Sequence, residues 1–400
     1  MAVRPFVAAA AVALAMTLGA CQDSAMLGGA STRSLTPVPP QTLALMQTKG
    51  MSQSDPILIR AFKKEAEMEV WKRGANGQYA LLKTFPICRW SGQLGPKLKQ
   101  GDRQAPEGFY AITPGQMNPN SSYYLSFDVG YPNAFDRAHG STGSAVMVHG
   151  VCSSMGCFAM TDAVAGELFS IAREAFAGGQ GAFQFQSFPF RMTAANMARH
   201  RTDPNIAFWR QLKEGSDRFE ATGEEPAVSV TGGRYTFTPS RDPAKEAAFT
   251  ALHKDETDRI AALVEEGAAA VRTTYSDGGQ HAFWAARILQ GHPVGDISRP
   301  EALAYAGQEV VLIPARRRAP PLPPVPEAVW AAWIGMDSPS LTVRTAGFVP
   351  PYAAATTRIA APVTRYAQTW PSLARAAIEG ALPPPDVTQT QPLIEKLAQR

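Results

Sequence analysis

A histidine and a cysteine lie eight residues apart within residues 148–162, on either side of a turn of small residues. A cysteine attacks carbonyl groups as a thiolate, so it needs a neighbouring base or a positive helix N-terminus. His149 can supply the base, and a helix-forming run begins just after Cys157. Gly150 and Gly156 bracket the turn, and glycine lets a backbone approach a substrate closely. The segment therefore predicts a cysteine nucleophile.

The residues before this segment predict the strands that would position it. Residues 144–148 are small or apolar and deliver His149 at the end of a strand. Residues 66–71 alternate between polar and apolar side chains, and residues 79–85 follow after a glycine-rich turn, which is typical of a hairpin. The sequence therefore predicts a domain over residues 55–240 that is mainly β with flanking helices.

The clearest predicted helix begins shortly after Cys157. Thr161 or Asp162 can cap its start, and Gly178 and Gly179 end it. A helix N-terminus carries a partial positive charge. We therefore expect this N-terminus to face Cys157 and to favour its thiolate form.

The first 20 residues have the features of a secretory leader. One charge, Arg4, precedes an apolar run that is too short to span a membrane and is typical of a signal peptide. The run ends in Leu-Gly-Ala before Cys21, which resembles a bacterial lipobox, so we predict that Cys21 is acylated. The alternative is an ordinary signal peptide with a chance cysteine. Residues 21–54 would then form a tether, which starts as a small, polar stretch.

Three cysteines remain if Cys21 carries lipid. An odd count in an exported protein indicates one reactive thiol, and Cys157 is the natural choice. Cys88 and Cys152 could form a disulfide or could be two separate buried residues. We favour the second interpretation, since spacing in the sequence does not decide which cysteines pair.

Charge and composition limit the remaining functions. The chain has 400 residues and a net charge of +4, which is too small to indicate binding of nucleic acid. Residues 241–400 are predicted to form a helical and proline-rich extension that is partly disordered, with a helix over residues 243–272. No segment after the leader is long and apolar enough to cross a membrane.

The residues around Cys157 resemble the catalytic signature of a known family. His-Gly at 149–150, Ser-x-Gly-Cys at 154–157 and Met-x-Asp at 160–162 are similar to the L,D-transpeptidase (YkuD-type) domain, and the short spacing from histidine to cysteine resembles its YafK-like branch. Further similarity lies in residues 67–71, 86–88, 95–97, 101–110 and 188–193. The resemblance spans residues 55–240. It implies the β-fold of the L,D-transpeptidase catalytic domain and a cysteine enzyme acting on peptidoglycan stem peptides.

The resemblance also implies roles for individual residues. Cys157 matches the nucleophile that forms an acyl-enzyme, and His149 matches the base that takes its proton. The backbone N–H of Gly156 is a candidate donor to the oxyanion, because such donors must already point at the developing charge. The histidine of this family is commonly held by a backbone carbonyl, so no third side chain is assigned. No cofactor is required.

Two positions depart from the family pattern. Met155 stands where the usual motif has a histidine, and Ala159 stands where it has an arginine. The missing arginine removes an expected anchor for a substrate carboxylate. Arg191 or Arg103 could supply that anchor from a neighbouring segment, since arginine binds carboxylates through two parallel hydrogen bonds.

Other interpretations of the site compete with this one. His139 lies in a preceding loop and is favoured as a substrate contact over a role as the base. The histidines and cysteines could suggest zinc, but their spacing fits no usual pair of ligands, so no metal is predicted. Ser153 and Ser154 lack the G-x-S-x-G surroundings of a serine nucleophile.

The implied reaction is L,D-transpeptidation, which transfers the stem-peptide acyl group to an amine. One alternative is hydrolysis of diaminopimelate-linked crosslinks or protein–peptidoglycan links through the same acyl-enzyme. Another is a non-catalytic peptidoglycan-binding lipoprotein, which the intact pair of His149 and Cys157 disfavours. The expected partners are stem peptides, wall-linked envelope proteins and a membrane reached through Cys21. The expected location is the periplasmic side of the envelope, and Gln22 favours the outer membrane because an Asp there often marks inner-membrane retention.

Overall fold

The computed structural model describes residues 32–295 and 297–316. Its helices are α1 (Pro40–Thr48), α2 (Ala134–Ala138), α3 (Asp162–Ala177), α4 (Ala194–Arg199), α5 (Ile206–Thr222), α6 (Pro243–Glu265), α7 (Ala282–Leu289) and α8 (Pro300–Leu303). Its strands are β1 (Ile57–Phe62), β2 (Glu67–Arg73), β3 (Tyr79–Pro86), β4 (Arg89–Trp90), β5 (Gly108–Ile112), β6 (Met117–Asn118), β7 (Ser126–Asp128), β8 (Met147–His149), β9 (Phe158–Ala159), β10 (Phe183–Phe188), β11 (Val228–Thr231), β12 (Arg234–Phe237), β13 (Ala270–Thr274) and β14 (Gln308–Ile313).

The first of two five-stranded sheets has the order β3-β2-β1-β10-β5. In it β1 and β10 are parallel neighbours, and the other neighbouring strands are antiparallel. Every residue of β1 and β10 is buried, because both faces of the sheet are covered at its centre. The predicted hairpin is confirmed, since β2 pairs with β3 from Glu67 opposite Pro86 to Arg73 opposite Tyr79.

The second five-stranded sheet has the order β4-β9-β8-β7-β6 and consists of strands of two or three residues. Aromatic side chains join it to the first sheet. The ring of Phe127 in β7 lies 5.9 Å from that of Phe183 in β10, and the ring of Phe158 in β9 lies 5.5 Å from that of Phe185. The shared core therefore holds the short strands in place. The predicted class of sheets with flanking helices is confirmed.

Helix α3 follows the second sheet and packs on the same core. The Thr161 side chain accepts the backbone N–H of Val164 at its start, and Gly178 caps its end. Leu168 and Ile171 are buried on its inner face. These features agree with the helix predicted from the sequence.

Two helices outside residues 55–240 also pack on this part of the chain. In α1, Met46 is buried. The stretch predicted to be a tether thus contains a packed helix. In α6, Glu256 lies 2.9 Å from Lys213 of α5 in an ion pair. That helix ends at Glu265, and its predicted continuation to residue 272 is wrong because the residues from 270 onward form β13, which pairs with β14.

The described residues, 32–295 and 297–316, belong to one compact unit, so the described part of the segment 243–316 shares a unit with the sheets. The domain boundary at residue 240 stays a prediction. The predicted acylation site Cys21 and the predicted disorder beyond residue 316 lie outside the described residues. Within residues 32–295 and 297–316, no helix has both the length and the apolar character needed to cross a membrane.

Candidate active site

Two adjacent strands place His149 and Cys157 on the same face of the second sheet. Strands β8 and β9 are parallel, with Val148 opposite Phe158. The same register puts Cys157, directly before β9, beside Met147 of β8. Because successive side chains of a strand alternate between faces, His149 and Cys157 share the face that points away from the Val148–Phe158 pair. Strand register therefore brings the predicted pair to one side of the sheet.

A disulfide bond fixes the loop between these two strands. Cys152 in the loop is bonded to Cys88, which lies between β3 and β4, and their Cα atoms are 5.4 Å apart. The favoured prediction of two separate buried cysteines is wrong. Both residues are buried, but their spacing in the sequence does not show that these two positions, 64 residues apart, meet in space. Cys157 is the free cysteine in the part of the chain that the structure describes.

The start of α3 binds this loop instead of the thiol. The backbone N–H of Val151 donates to Oδ1 of Asp162 over 2.8 Å. A Cβ atom on Gly150 would lie 2.6 Å from that same oxygen, so the position requires glycine. Val151 has a φ of 57°, which is strained for a β-branched residue. The predicted approach of the helix N-terminus to Cys157 is wrong, because the helix start contacts Val151 after the end of β8, whereas the sulfur of Cys157 lies beside Met147 at the start of that strand.

The hydroxyl of Ser154 organises the turn that carries Cys157. Its Oγ accepts the backbone N–H groups of Gly156 at 3.3 Å and Cys157 at 3.1 Å, and it donates to the Cys157 carbonyl at 2.7 Å. The hydroxyl of Ser91 lies 2.9 Å away, and Ser154 is only 1% exposed. The Gly156 N–H, predicted to face an oxyanion, therefore points at a buried hydroxyl. It could reach an oxyanion in the cavity only after the turn rearranges.

A backbone carbonyl orients the His149 ring. Nδ1 of His149 is hydrogen-bonded to the carbonyl oxygen of Gly150. A carbonyl can only accept, so Nδ1 carries the hydrogen and Nε2 of the neutral ring has a free lone pair. Burial lowers the pKa of His149, against the raising effect of the bond to Gly150. The ring of Tyr123 packs 4.8 Å away. This matches the expectation that a backbone carbonyl holds the histidine.

The surroundings of Cys157 favour the protonated thiol. Burial raises the pKa of Cys157 and the charge of Asp128 adds to the rise, whereas the N–H of Met147 and the charge of Lys97 lower it. The Met147 nitrogen lies 3.4 Å from the sulfur, and the thiol itself points at the Ala145 carbonyl, 3.9 Å away. A raised thiol pKa beside a lowered imidazole pKa favours the neutral pair over the thiolate–imidazolium pair.

A cavity of about 400 Å³ opens beside Cys157. Lys97, Arg103 and Met155 are among its lining residues. The two cationic side chains make it suited to an anionic ligand, because charge-assisted hydrogen bonds to a carboxylate are stronger than neutral ones. A smaller cavity of about 290 Å³ lies near Lys49 and contains none of the predicted site residues.

Arg191 and His139 do not line the cavity at Cys157. The guanidinium of Arg191 is paired with the carboxylates of Glu67 and Glu69 at the other sheet. Nδ1 of His139 lies 2.9 Å from the carbonyl oxygen of Phe135, and the two rings are 4.2 Å apart. Of the predicted substrate contacts, the structure brings only Arg103 to the cavity.

Sequence reasoning missed three residues near the thiol. The sequence places Ser154 in the family signature and offers it as an alternative nucleophile, but it does not indicate the role of the hydroxyl in the turn. Lys97 was quoted in a matching segment without a role, although it lines the cavity. Asp128 of β7 lies opposite Met147 of β8. Alternation along residues 123–129 would have put Asp128 on the face of His149, once the pairing of β7 with β8 was known.

Among the residues that the structure describes, no group of three or more His, Cys, Asp or Glu side chains is arranged to hold a metal ion. The side chains predicted to react are the thiol of Cys157 and the imidazole of His149. Together with the cavity, they can support attack of sulfur on a carbonyl carbon with imidazole as the base.

Comparison with known proteins assigns this arrangement to a family. No family model matches the chain. The chain is 44% identical over 228 residues to a protein of Escherichia coli K12 named "Putative L,D-transpeptidase YafK", and the match covers 57% of this chain and 89% of that protein. The protein of the same name from Escherichia coli O157:H7 matches equally well. The chain belongs to the YafK-like L,D-transpeptidase family. The resemblance predicted from the residues around Cys157 is confirmed.

Solved structures give weaker matches than this YafK-like relative. The crystal structure of the helical cell shape determining protein Pgp2 from Campylobacter jejuni matches with a TM-score of 0.27 and 13% identity, over 58% of this chain and 80% of that one. Bd1075 from Bdellovibrio bacteriovorus matches with a TM-score of 0.24 and 15% identity, over 56% of this chain and 76% of that one.

Proposed function

We propose that this protein is a cysteine L,D-transpeptidase that forms an acyl-enzyme on a peptidoglycan stem peptide and transfers the acyl group to an amine. The observation that carries the proposal is the free thiol of Cys157 at a cavity with cationic walls, on the sheet face that His149 shares. Membership of the YafK-like family supports it, since the E. coli relative is named as an L,D-transpeptidase.

The first step is removal of the thiol proton. Because both groups are neutral at rest, His149 acts as a general base through its Nε2 lone pair. The thiol points at the Ala145 carbonyl in the resting structure, so it must first rotate toward the imidazole. The sulfur then attacks the carbonyl carbon of the scissile peptide bond, and the carbonyl oxygen takes the negative charge.

The tetrahedral intermediate collapses when the C–N bond breaks. The departing amine takes the proton that His149 received, which leaves a thioester on Cys157. An acceptor amine then attacks the thioester, His149 removes its proton, and the C–S bond breaks to release the new amide. The sulfur leaves as thiolate and regains the proton from His149. Backbone N–H donors, including that of Gly156, would stabilise the oxyanion once the turn has released them from Ser154.

Arg103 is proposed to bind a carboxylate of the acyl donor. It lines the cavity beside Cys157, and its side chain is 31% exposed. Lys97 adds a second positive charge, but it is almost fully buried and is hydrogen-bonded to Asp102. The more exposed guanidinium is therefore the better placed of the two for a substrate. His139 and Arg191 lie outside this cavity.

We also propose that the protein works on the periplasmic side of the envelope and is anchored through lipid on Cys21. The lipobox-like sequence supports the anchor. The Cys88–Cys152 disulfide supports an oxidising compartment. Intact-mass measurement of the membrane fraction tests the anchor: a Cys21→Ala variant should lack the added acyl mass and should leave the membrane.

The experiment that tests the function is incubation of the full chain, purified in detergent, with isolated sacculi. Intact-protein mass spectrometry should detect a thioester adduct on the wild type and none on Cys157→Ala. His149→Gln should acylate at least 100-fold more slowly, since a positioned base contributes about 10²–10⁴-fold. His292→Gln is the matched control, because His292 is exposed in a turn after α7.

The released muropeptides then separate the possible reactions. New crosslinks support transpeptidation. Freed peptides or wall-linked proteins, with the same adduct on Cys157, would show that the reaction is hydrolysis and not transpeptidation. Water and amine compete for the same acyl-enzyme. Equal behaviour of the wild type and Cys157→Ala, with both bound to sacculi, would refute the catalytic proposal in favour of a binding lipoprotein.

A further inference from the structure

A segment beyond the predicted catalytic domain lies along β3 and β4. Trp90 and Gly279 exchange backbone hydrogen bonds of 3.0 Å in each direction. The N–H of Gly278 donates to the Gly92 carbonyl, and a Cβ atom at Gly278 would lie 2.0 Å from the Trp90 oxygen. The indole N–H of Trp284 donates to the carbonyl of Pro86. These contacts fix the segment next to the disulfide at Cys88.

This segment places one buried carboxylate against Arg103, a side chain that lines the cavity. Asp277 is 4% exposed, and its Oδ2 accepts a hydrogen bond from Nη2 of Arg103 over 2.7 Å. The same oxygen lies 3.1 Å from Arg299 and 3.6 Å from Arg89. Burial works against ionisation of this carboxyl, but hydrogen bonding and the charges of the arginines hold the pKa of Asp277 below its usual range. Asp277 therefore stays an anion that restrains Arg103.

The guanidinium of Arg103 is hydrogen-bonded to the protein through one of its edges. Its backbone has a φ of 58°, and its buried Nε has no hydrogen-bond partner among the described residues. The bond to Asp277 fixes one edge of the guanidinium, while 31% of the side chain stays exposed at the cavity. An arginine has several rotatable bonds and loses much entropy when it is ordered. A fixed carboxylate supplies that ordering before the substrate arrives.

A second contact from the same region reaches the turn of the nucleophile. The backbone N–H of Ser154 donates to Oγ of Ser298 over 2.9 Å, and that hydroxyl donates back to the Ser154 carbonyl over 3.3 Å. Nε of Arg89 in turn donates to the Ser298 carbonyl. Asp277 thus contacts Arg103, which lines the cavity, and Ser298 contacts the turn before Cys157.

We propose that Asp277 is a positioning residue that orients Arg103 for the carboxylate of the acyl donor, and that residues 275–295 and 297–299 are part of the active-site structure. This inference rests on the proposed function for its substrate, but its structural part does not depend on the reaction. It assigns a role to a segment that lies outside residues 55–240, where the resemblance to the family ends.

The test is a double-mutant cycle in the full chain with Arg103→Ala, Asp277→Asn and both together. The readout is the ratio of acylation rates for a stem tetrapeptide with a free terminal carboxylate and for the same peptide as its carboxamide. The wild type should prefer the carboxylate by about tenfold, the size expected for one charge-assisted hydrogen bond. Arg103→Ala should abolish the preference, and Asp277→Asn should reduce it at least threefold. In the Arg103→Ala background, Asp277→Asn should change the ratio by less than a factor of about 1.5.

Arg272→Gln is the matched control, because Arg272 is exposed in β13, lies before this segment and lines neither cavity. It should keep the wild-type ratio. If Asp277→Asn does not fold, Asp277→Glu keeps the charge and moves the carboxylate by one methylene group, and the ratio should fall in that variant too. A wild-type ratio in the Asp277 variants, or an equal loss with and without Arg103, would overturn the proposal.

A second readout separates this proposal from the reaction itself. Hydrogen exchange of the backbone amides in residues 92–106 should be faster in Asp277→Asn than in the wild type and in Arg272→Gln, whether or not any peptide reacts. If the wild type acylates neither peptide, the proposed function fails, and unchanged exchange in Asp277→Asn would then refute the positioning role as well. Faster exchange would support it.

Discussion

The side-chain oxygen of Ser154 lies 3.1 Å from the backbone nitrogen of Cys157 and 2.7 Å from its carbonyl oxygen. One buried hydroxyl thus binds both polar backbone groups of the proposed nucleophile. Ser154→Ala leaves buried N–H groups without a partner, so it should lower the free energy of unfolding by about 1–3 kcal/mol. Urea denaturation measures this. The neighbouring Ser153→Ala should change stability by less than about 0.5 kcal/mol, and equal losses in the two variants would contradict the role of Ser154.

The rate of alkylation of Cys157 should follow the raised pKa of a buried thiol. Because the pKa of Cys157 is raised by burial and that of His149 is lowered, the neutral pair dominates at neutral pH. Alkylation by iodoacetamide should therefore rise steadily through pH 9 without a plateau between pH 5 and 7. Asp128→Asn removes a carboxylate that raises the thiol pKa, so the midpoint should move to lower pH. A thiolate plateau near pH 6 in the wild type would show a charged pair instead.

The disulfide should contribute to stability through the long loop that it closes. Cys88 and Cys152 are 64 residues apart, and a loop of that size corresponds to about 4 kcal/mol in the chain-entropy account. The double variant Cys88→Ser/Cys152→Ser should lose several kcal/mol in urea denaturation. Its Cys157 should also react faster with iodoacetamide, because the loop before the thiol loses its anchor. The wild type under reducing conditions should behave like the variant; stability equal to that of the oxidised wild type would refute the prediction.

The two arginines predicted from the sequence should differ in what they do. Arg103→Gln should raise KM for a stem peptide about tenfold with little change in kcat, since it lines the cavity. Arg191→Gln leaves the buried carboxylate of Glu69 without its cation, so it should cost about 1–3 kcal/mol of stability. Steady-state kinetics and urea denaturation of both variants measure this. A rise in KM for Arg191→Gln alone would reverse the assignment.

Asp136 does not line the cavity at Cys157, and it should make the free energy of unfolding depend on pH. It is 1% exposed, and burial raises its pKa to about 6, against hydrogen bonds from Asn133 and Tyr110. In the unfolded chain a carboxyl titrates near pH 3.9. The folded state binds the proton more tightly, so this contribution to stability is full below about pH 4 and is lost as the pH rises through about 6. The free energy of unfolding of Asp136→Asn, relative to that of the wild type, should therefore rise by about 2–3 kcal/mol from pH 4 to pH 7.5 in urea denaturation. An equal difference at both pH values would contradict this.

Sequence patterns predicted a helix and a hairpin correctly where the residues that determine them lie close together in the chain. The capped helix after Thr161 and the hairpin of β2 and β3 each depend on residues close together in the chain. The pair of His149 and Cys157 was found for the same reason, since one loop carries both. The predicted helix to residue 272 failed because pairing of β13 with β14, a contact with residues 308–313, overrides the local preference.

The remaining parts of the site depend on contacts between distant positions. Nothing near Cys88 in the sequence indicates Cys152, and nothing near Arg103 indicates Asp277, which is 174 residues away. Arg191 and Arg103 were equal candidates from their residue type. Only the fold shows that one pairs with carboxylates at another sheet while the other reaches the cavity.

The bond between Cys88 and Cys152 also decides which sulfur stays reduced. Cys152 and Cys157 lie in the same loop, five residues apart, so each is a close competitor for the other during oxidation. Once Cys152 has paired with Cys88, the remaining thiol has no intramolecular partner among the described cysteines. The Cys88–Cys152 bond thus protects the reactive sulfur from capture by Cys152.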